Sequence, residues 1–82
     1  MNAYHCESHR PVIAENMNEA AEIFAARKAH SAFGRSARVE EVRSECQSQD
    51  GTIGEYEAFI GRSTGIHETT GRNVRFTVRW VR

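Results

Sequence analysis

The segment Asn16–Gly34, NMNEAAEIFAARKAHSAFG, is the one stretch long and periodic enough for an amphipathic helix. Asn16 stands where an N-cap belongs, and Glu19 three residues on makes an asparagine variant of the capping box. Glu19 and Glu22 lie near the positive end of the helix dipole, and Arg27 and Lys28 toward its negative end. Gly34 is a natural residue to end the helix. At about 100° per residue, Ala21, Phe24, Ala25, Ala29 and Ala32 share one side, with Phe33 at its margin and Ile23 off the stripe. An alanine face lets a helix sit close on a sheet, with Phe24 as the main apolar anchor.

Everything on either side of this helix reads as strand. Asn2–Ser8 alternates as a first short strand, and Arg10–Ala14 as a second after a turn near Ser8 and His9. Pro11 cannot donate a ladder hydrogen bond, so the second strand belongs at an edge. Ala37–Cys46 is the third strand, Asp50-Gly51 marks a turn, and Thr52–Gly61 is the fourth. Arg62–Arg72 is long for a hairpin connection and rich in Gly and Thr, which predicts a mobile surface loop. Asn73–Val81 is the clearest strand, with Val74, Phe76, Val78 and Trp80 on one face and Arg75, Thr77 and Arg79 on the other. On the fourth strand, Tyr56, Ala58 and Ile60 form the core set, leaving Glu55, Glu57 and Phe59 outward. A two-residue turn at Asp50-Gly51 would pair Cys46 with Glu55 and place Val42 opposite Phe59, on the solvent side. An odd loop or bulge within Gln47–Thr52 is therefore expected to return Val42 to the core.

The pattern predicts an α+β fold, ββαβββ, with an antiparallel sheet of four to five strands and one helix across one face. Placing the third strand beside the first satisfies the right-handed crossover rule and gives the order 2-1-3-4-5. The other face of the sheet is expected to meet water. The 82 residues suit a single domain, 1–82, with one modest core. No apolar run reaches the roughly 18 residues of a membrane span, and the N-terminus has no basic-then-apolar signal pattern. Two cysteines, Cys6 and Cys46, are too few for a disulfide scaffold. Together these features place the chain in a reducing cytoplasm.

Several chemistries find no support in the residue pattern. His5-Cys6-Glu7-Ser8-His9 is the densest group of potential ligands, but on a strand His5 and His9 lie about 13 Å apart. One zinc ion at about 2 Å per ligand cannot bridge that distance. Neither cysteine has a local nucleophile signature, and His30 and His67 read as surface residues. The loop STGIHETTGR lacks the spacing of a phosphate cradle and has no lysine. The expectation is a non-enzymatic chain with no catalytic residues, no metal and no cofactor.

The charge distribution is more informative. The net charge is zero, yet Met1–Ala26 carries −3, Arg27–Val39 +4, Glu40–Glu57 −5 and Ala58–Arg82 +4. A neutral chain argues against a nonspecific nucleic-acid binder, which normally shows a basic footprint. Glu55 and Glu57 are expected beside Arg75 and Arg79 on the neighbouring strand, where cross-strand ion pairs are the plain reading. Glu40, Glu41, Glu45 and Asp50 outnumber the local cations and, with Glu55 and Glu57, would form one acidic end of the sheet. Such a patch suits an Arg/Lys cleft that normally holds phosphates. Arg35, Arg38, Arg62, Arg72, Arg75 and Arg79 make an opposite patch that could hold nucleic acid instead. Phe59, outward on the fourth strand, could anchor either partner.

With EAAEIFAARKAHSAFGR after a short N-terminal hairpin, and the closing segments EYEAFIG and GRNVRFTV, the chain resembles a group of small phage and mobile-element ββαβββ proteins. That group includes anti-CRISPR inhibitors of type I surveillance complexes (Cascade). The resemblance implies a non-enzymatic inhibitor in the bacterial cytoplasm that binds a Cas subunit of such a complex and hinders target DNA recognition. The expected partner-binding residues are Glu40, Glu41, Glu45, Asp50, Glu55, Glu57, Phe59, Arg75 and Arg79, on a monomer or weak homodimer. Two alternatives stay open: a small nucleic-acid binder using the arginine face, and a phage accessory module that self-associates through a sheet edge.

Overall fold

The helix begins where its cap predicts. In the computed structural model, which describes residues 1–7, 10–63 and 69–81, α1 spans Met17–Phe33. Asn16 holds an extended backbone, and its Oδ1 accepts the Glu19 N–H at 2.9 Å, an interaction of about 1 kcal/mol. Gly34 ends α1 at φ 69°, a left-handed value that glycine adopts without a Cβ clash, and its N–H donates to the His30 carbonyl.

Five strands accompany the helix: β1 (Asn2–Cys6), β2 (Val12–Ala14), β3 (Ala37–Gln47), β4 (Ile53–Ser63) and β5 (Thr69–Val81). They form one antiparallel sheet in the order β2-β1-β5-β4-β3. The element order and the α+β class agree with the sequence, and β2 is an edge strand as Pro11 requires. The strand order does not agree. β5, not β3, lies beside β1.

The reason lies in what each strand can bury. β5 offers Val74, Phe76, Val78 and Trp80 on one face, and a central position lets that face meet the helix. β3 carries Glu40, Glu41, Arg43 and Glu45, all exposed, and charge of this kind protects a sheet edge from unwanted pairing. The helix makes the exchange possible. At 17 residues it is about 25 Å long, enough to cross four strand spacings of about 4.8 Å each. It thus joins β2 at one edge to β3 at the other.

Met17, Ala20, Ala21, Phe24, Ala25 and Ala29 are buried under α1, and Ile23 packs at the margin. Ala32, expected in this stripe, is exposed. A straight helix crossing a twisted sheet keeps contact over only part of its length, and here the contact lies toward the N-terminal turns. Tyr56, Ala58 and Ile60 of β4 are buried beside Phe76 and Val78 of β5, as expected, together with Tyr4, Cys6, Val12 and Ala14.

Val42 does face the core, opposite Ala58, but the correction is not made in the turn. The bulge between Ser44 and Cys46 makes it, and a second bulge between Glu40 and Val42 places Val39 opposite Ile60 on the same face. Glu41 takes φ 37° at this second bulge. Each bulge adds one unpaired residue, so each flips the facing of the residues beyond it.

The described residues of the segment Arg62–Arg72, 62–63 and 69–72, are strand rather than loop. β4 runs through Ser63 and β5 starts at Thr69, with Gly61 opposite Gly71 and Arg62 opposite Thr70. Thr favours strands, and Gly permits close approach, so this composition extends the hairpin. The turn near Ser8 and His9, and residues 64–68 of the expected loop, lie outside the described residues.

Candidate functional site

The outer face of the sheet, away from α1, carries most of the charged residues singled out above. Its centre is a row across three strands: Arg43 of β3, Glu57 of β4 and Arg75 of β5 stand directly opposite one another. Arg43 Nη2 lies 3.4 Å from Glu57 Oε1, and Arg75 Nε lies 3.2 Å from Glu57 Oε2. The Glu57 side chain is only 18 % exposed, whereas the two arginines are 63 % and 78 % exposed. Pairs this open to water hold register more than they stabilise, at about 0–1 kcal/mol each.

The other expected neighbours separate. Glu55 faces Thr77, and Arg79 faces Ile53 and His5, so neither Glu55 with Arg79 nor Glu55 with Arg75 forms a directly opposed pair. Glu55 Oε2 instead accepts the Cys46 thiol at 3.1 Å. Glu40 lies 3.8 Å from Arg38, and Glu41 lies 4.0 Å from Arg43. Phe59 is half-buried between Glu40 and Asn73 on the flanking strands. The carboxylates Glu40, Glu41, Glu45, Glu55 and Glu57 are therefore strung along β3 and β4 with arginines between them. They do not gather at one end of the sheet.

Asp50 has a different role. Its Oδ1 accepts the Ser48 and Thr52 hydroxyls, both at 2.7 Å, and the Thr52 N–H at 3.1 Å. The Gly51 N–H closes on the Ser48 carbonyl at 3.0 Å, with Gly51 at φ 73°. The pattern S-x-D-G-T is a self-contained turn, and its carboxylate is committed within it. Hydrogen bonds from Ser48 and Thr52 hold the Asp50 carboxyl down at about 2, below its ordinary 3.8. A depressed folded value means that unfolding takes up a proton. The turn's contribution is complete above about pH 4 and is lost as pH falls through about 2. We expect Asp50→Asn to flatten this acid limb in urea melts followed between pH 5 and pH 2; an unchanged limb would show that other carboxylates set it.

Neither cysteine is primed as a nucleophile. Burial pushes the Cys6 thiol up to about 11, with Arg27 opposing and Glu7 adding to the rise. The hydrogen bond to Glu55 raises the exposed Cys46 thiol. Since the thiolate is the reactive form, both environments suppress it. Among the described residues, no three His, Cys, Asp or Glu side chains are placed to hold a metal ion. His5 stands exposed on β1, whereas its proposed companion His9 lies outside the described residues, as does His67. No helix among the described residues is long and apolar enough to cross a membrane.

No protein-family model, curated protein or solved structure matches the chain.

A concavity lies on the other side of the molecule. A groove of about 860 Å³ runs beside α1, floored by Ile23, Phe24 and Ala26. Among the described residues, Arg10, Arg27, Lys28, His30 and Arg72 line it, and no carboxylate does. Lys28 is held at 3.2 Å by Glu7, and its Nζ lies 5.7 Å from the centroid of the Phe24 ring. Among the described residues, Arg10, Arg27 and Arg72 have no carboxylate within ion-pair reach. The arginine patch drawn from sequence is thus divided: Arg38 and Arg75 meet outer-face glutamates, while Arg72 joins the helix cations Arg27 and Lys28, which the sequence placed only toward the negative end of the helix dipole. Only tertiary structure brings Arg10, Arg27 and Arg72 together; nothing in their spacing announces it.

Proposed function

We propose that the protein is a non-enzymatic binding module that engages a basic, phosphate-recognising cleft through the outer face of its sheet. The observation that supports it is the string of exposed carboxylates Glu40, Glu41, Glu45 and Glu55 on a face that no other described element covers. Glu40 to Glu45 spans about 16 Å of strand, a line of negative charge on a stiff backbone. Phe59 gives this face a half-buried aromatic contact, and Arg43 and Arg75 offer forked donors beside it. The resemblance supplies the partner: a Cas subunit of a type I surveillance complex, whose access to target DNA the module would block.

Charge complementarity of this sort governs association rate and orientation. The triple change of Glu40, Glu41 and Glu45 to Lys should slow association with a purified type I complex by at least about tenfold at low salt. Bio-layer interferometry would read this directly. The partner assignment is overturned if wild-type protein captures no type I complex in a pull-down. The surface assignment is overturned if the complex is captured equally well by the triple variant.

A further inference from the structure

We infer that the groove beside α1 and the open edge of β5 together form a docking site for an extended acidic peptide of a partner protein, separate from the outer-face surface. β1 covers only Val78–Val81 of β5, although β5 reaches back to Thr69. β1 ends at Cys6; the next residue, Glu7, takes φ 58°, and its carboxylate lies 3.2 Å from Lys28. Beyond that point no described strand pairs with the β1 side of β5.

The ladder fixes which amides face this gap. The Trp80 N–H donates to the Thr52 carbonyl at 2.7 Å, on the β4 side. The β4–β5 register runs without a shift from Ile53 opposite Arg79 to Ser63 opposite Thr69. Strict alternation then turns the N–H groups of Thr77, Arg75 and Asn73 to the open edge. An extended segment laid there would continue the line of β1 and pair with those groups, the mode of strand addition.

Charge selects the occupant. Among the described residues, Arg10, Arg27, Lys28 and Arg72 line the adjoining groove, and Glu7, which Lys28 already holds, is the one acid in contact with that lining. Ile23, half-buried at the floor, would receive an apolar side chain of an alternating segment. The other edges are poorer templates. β3 is bulged twice and charged, and β2 is three residues long next to Pro11.

The test uses the full chain and a short fluorescent peptide of alternating glutamate and valine. Anisotropy should show binding that a lysine–valine peptide does not reproduce. Arg27→Glu with Arg72→Glu should weaken it by about tenfold or more. Amide exchange followed by NMR should slow by about tenfold or more at Asn73, Arg75 and Thr77 on binding, with Val74 and Phe76 unchanged. Exchange in the free double variant reports whether the fold survives. No binding, or binding without slowing at those three amides, overturns the inference. So does tighter binding of an oligothymidylate, which would make the groove a nucleic-acid site. Protection of the same amides in a peptide-free dimer would also overturn it, by placing a second copy at the edge.

Discussion

Replacing Phe24 with alanine should remove about 3–5 kcal/mol of stability and leave little folded protein at 37 °C. Phe24 is 2 % exposed and is the only large aromatic side chain on the buried stripe of α1. Its ring centroid lies 4.8 Å from that of Phe76 at an interplanar angle of 53°, and Phe76 in turn lies 6.0 Å from Tyr56. The three rings tie the helix to the two central strands, and the neighbouring Ala20, Ala21 and Ala25 cannot extend to fill the space left behind. At about 0.05–0.15 kcal/mol per residue, a chain this size holds roughly 4–12 kcal/mol in total. One truncation therefore consumes a large share of the margin. Urea melts should show a lower midpoint with an unchanged slope. A loss under about 1 kcal/mol would mean that α1 is not seated on Phe76 as described.

The features that were legible in the sequence are those written locally. Asn16 with Glu19, and Gly34, mark both ends of α1 because caps act over three or four residues. The alternation of Val74, Phe76, Val78 and Trp80 identified β5, and that of Tyr56, Ala58 and Ile60 identified the inner face of β4. Strand order is a different kind of information. Both 2-1-3-4-5 and 2-1-5-4-3 keep every neighbour antiparallel, so handedness could not separate them. The weight that decides is the apolar content of β5 against the charge on β3, a comparison between strands rather than a property of either.

Site geometry was legible in the same partial way. Alternation put Glu57 and Arg75 on one face, and the ladder makes them direct partners. It could not say that Glu55 meets Thr77, because that depends on absolute register. Asp50 was read as surface charge when its neighbours Ser48 and Thr52 already spelled a turn that uses the carboxylate. The two bulges in β3 escaped for a physical reason. A bulge at Glu41 needs only a residue that tolerates φ 37°, and no residue type marks that requirement in advance.

Gly71→Ala is the second substitution with a large expected cost, about 1–3 kcal/mol by overpacking. Gly71 stands directly opposite Gly61 in the β4–β5 ladder. A Cβ at Gly71 would lie 2.6 Å from the Gly61 Cα and 2.9 Å from the Ile60 carbonyl carbon, and it would strike the Ile60 carbonyl oxygen. These are backbone atoms on the partner strand, so relief requires the strands to separate. Gly54 makes a useful contrast. Its nearest obstacle, at 2.6 Å, is the Met17 sulfur, the end of a flexible side chain that can move aside. Gly54→Ala should therefore cost less than Gly71→Ala in parallel melts, although Tyr56 at 3.0 Å limits how freely it relaxes. The damage from Gly71→Ala should also be local. Strand separation there loosens the pairs of Arg62 with Thr70 and Ile60 with Arg72, and amide exchange should quicken at Thr70 and Arg72 before it does at Val78. Equal quickening at Val78 would mean that the hairpin opens as one unit with the core, and that the distal arm has no independent give with which to accommodate a docked strand.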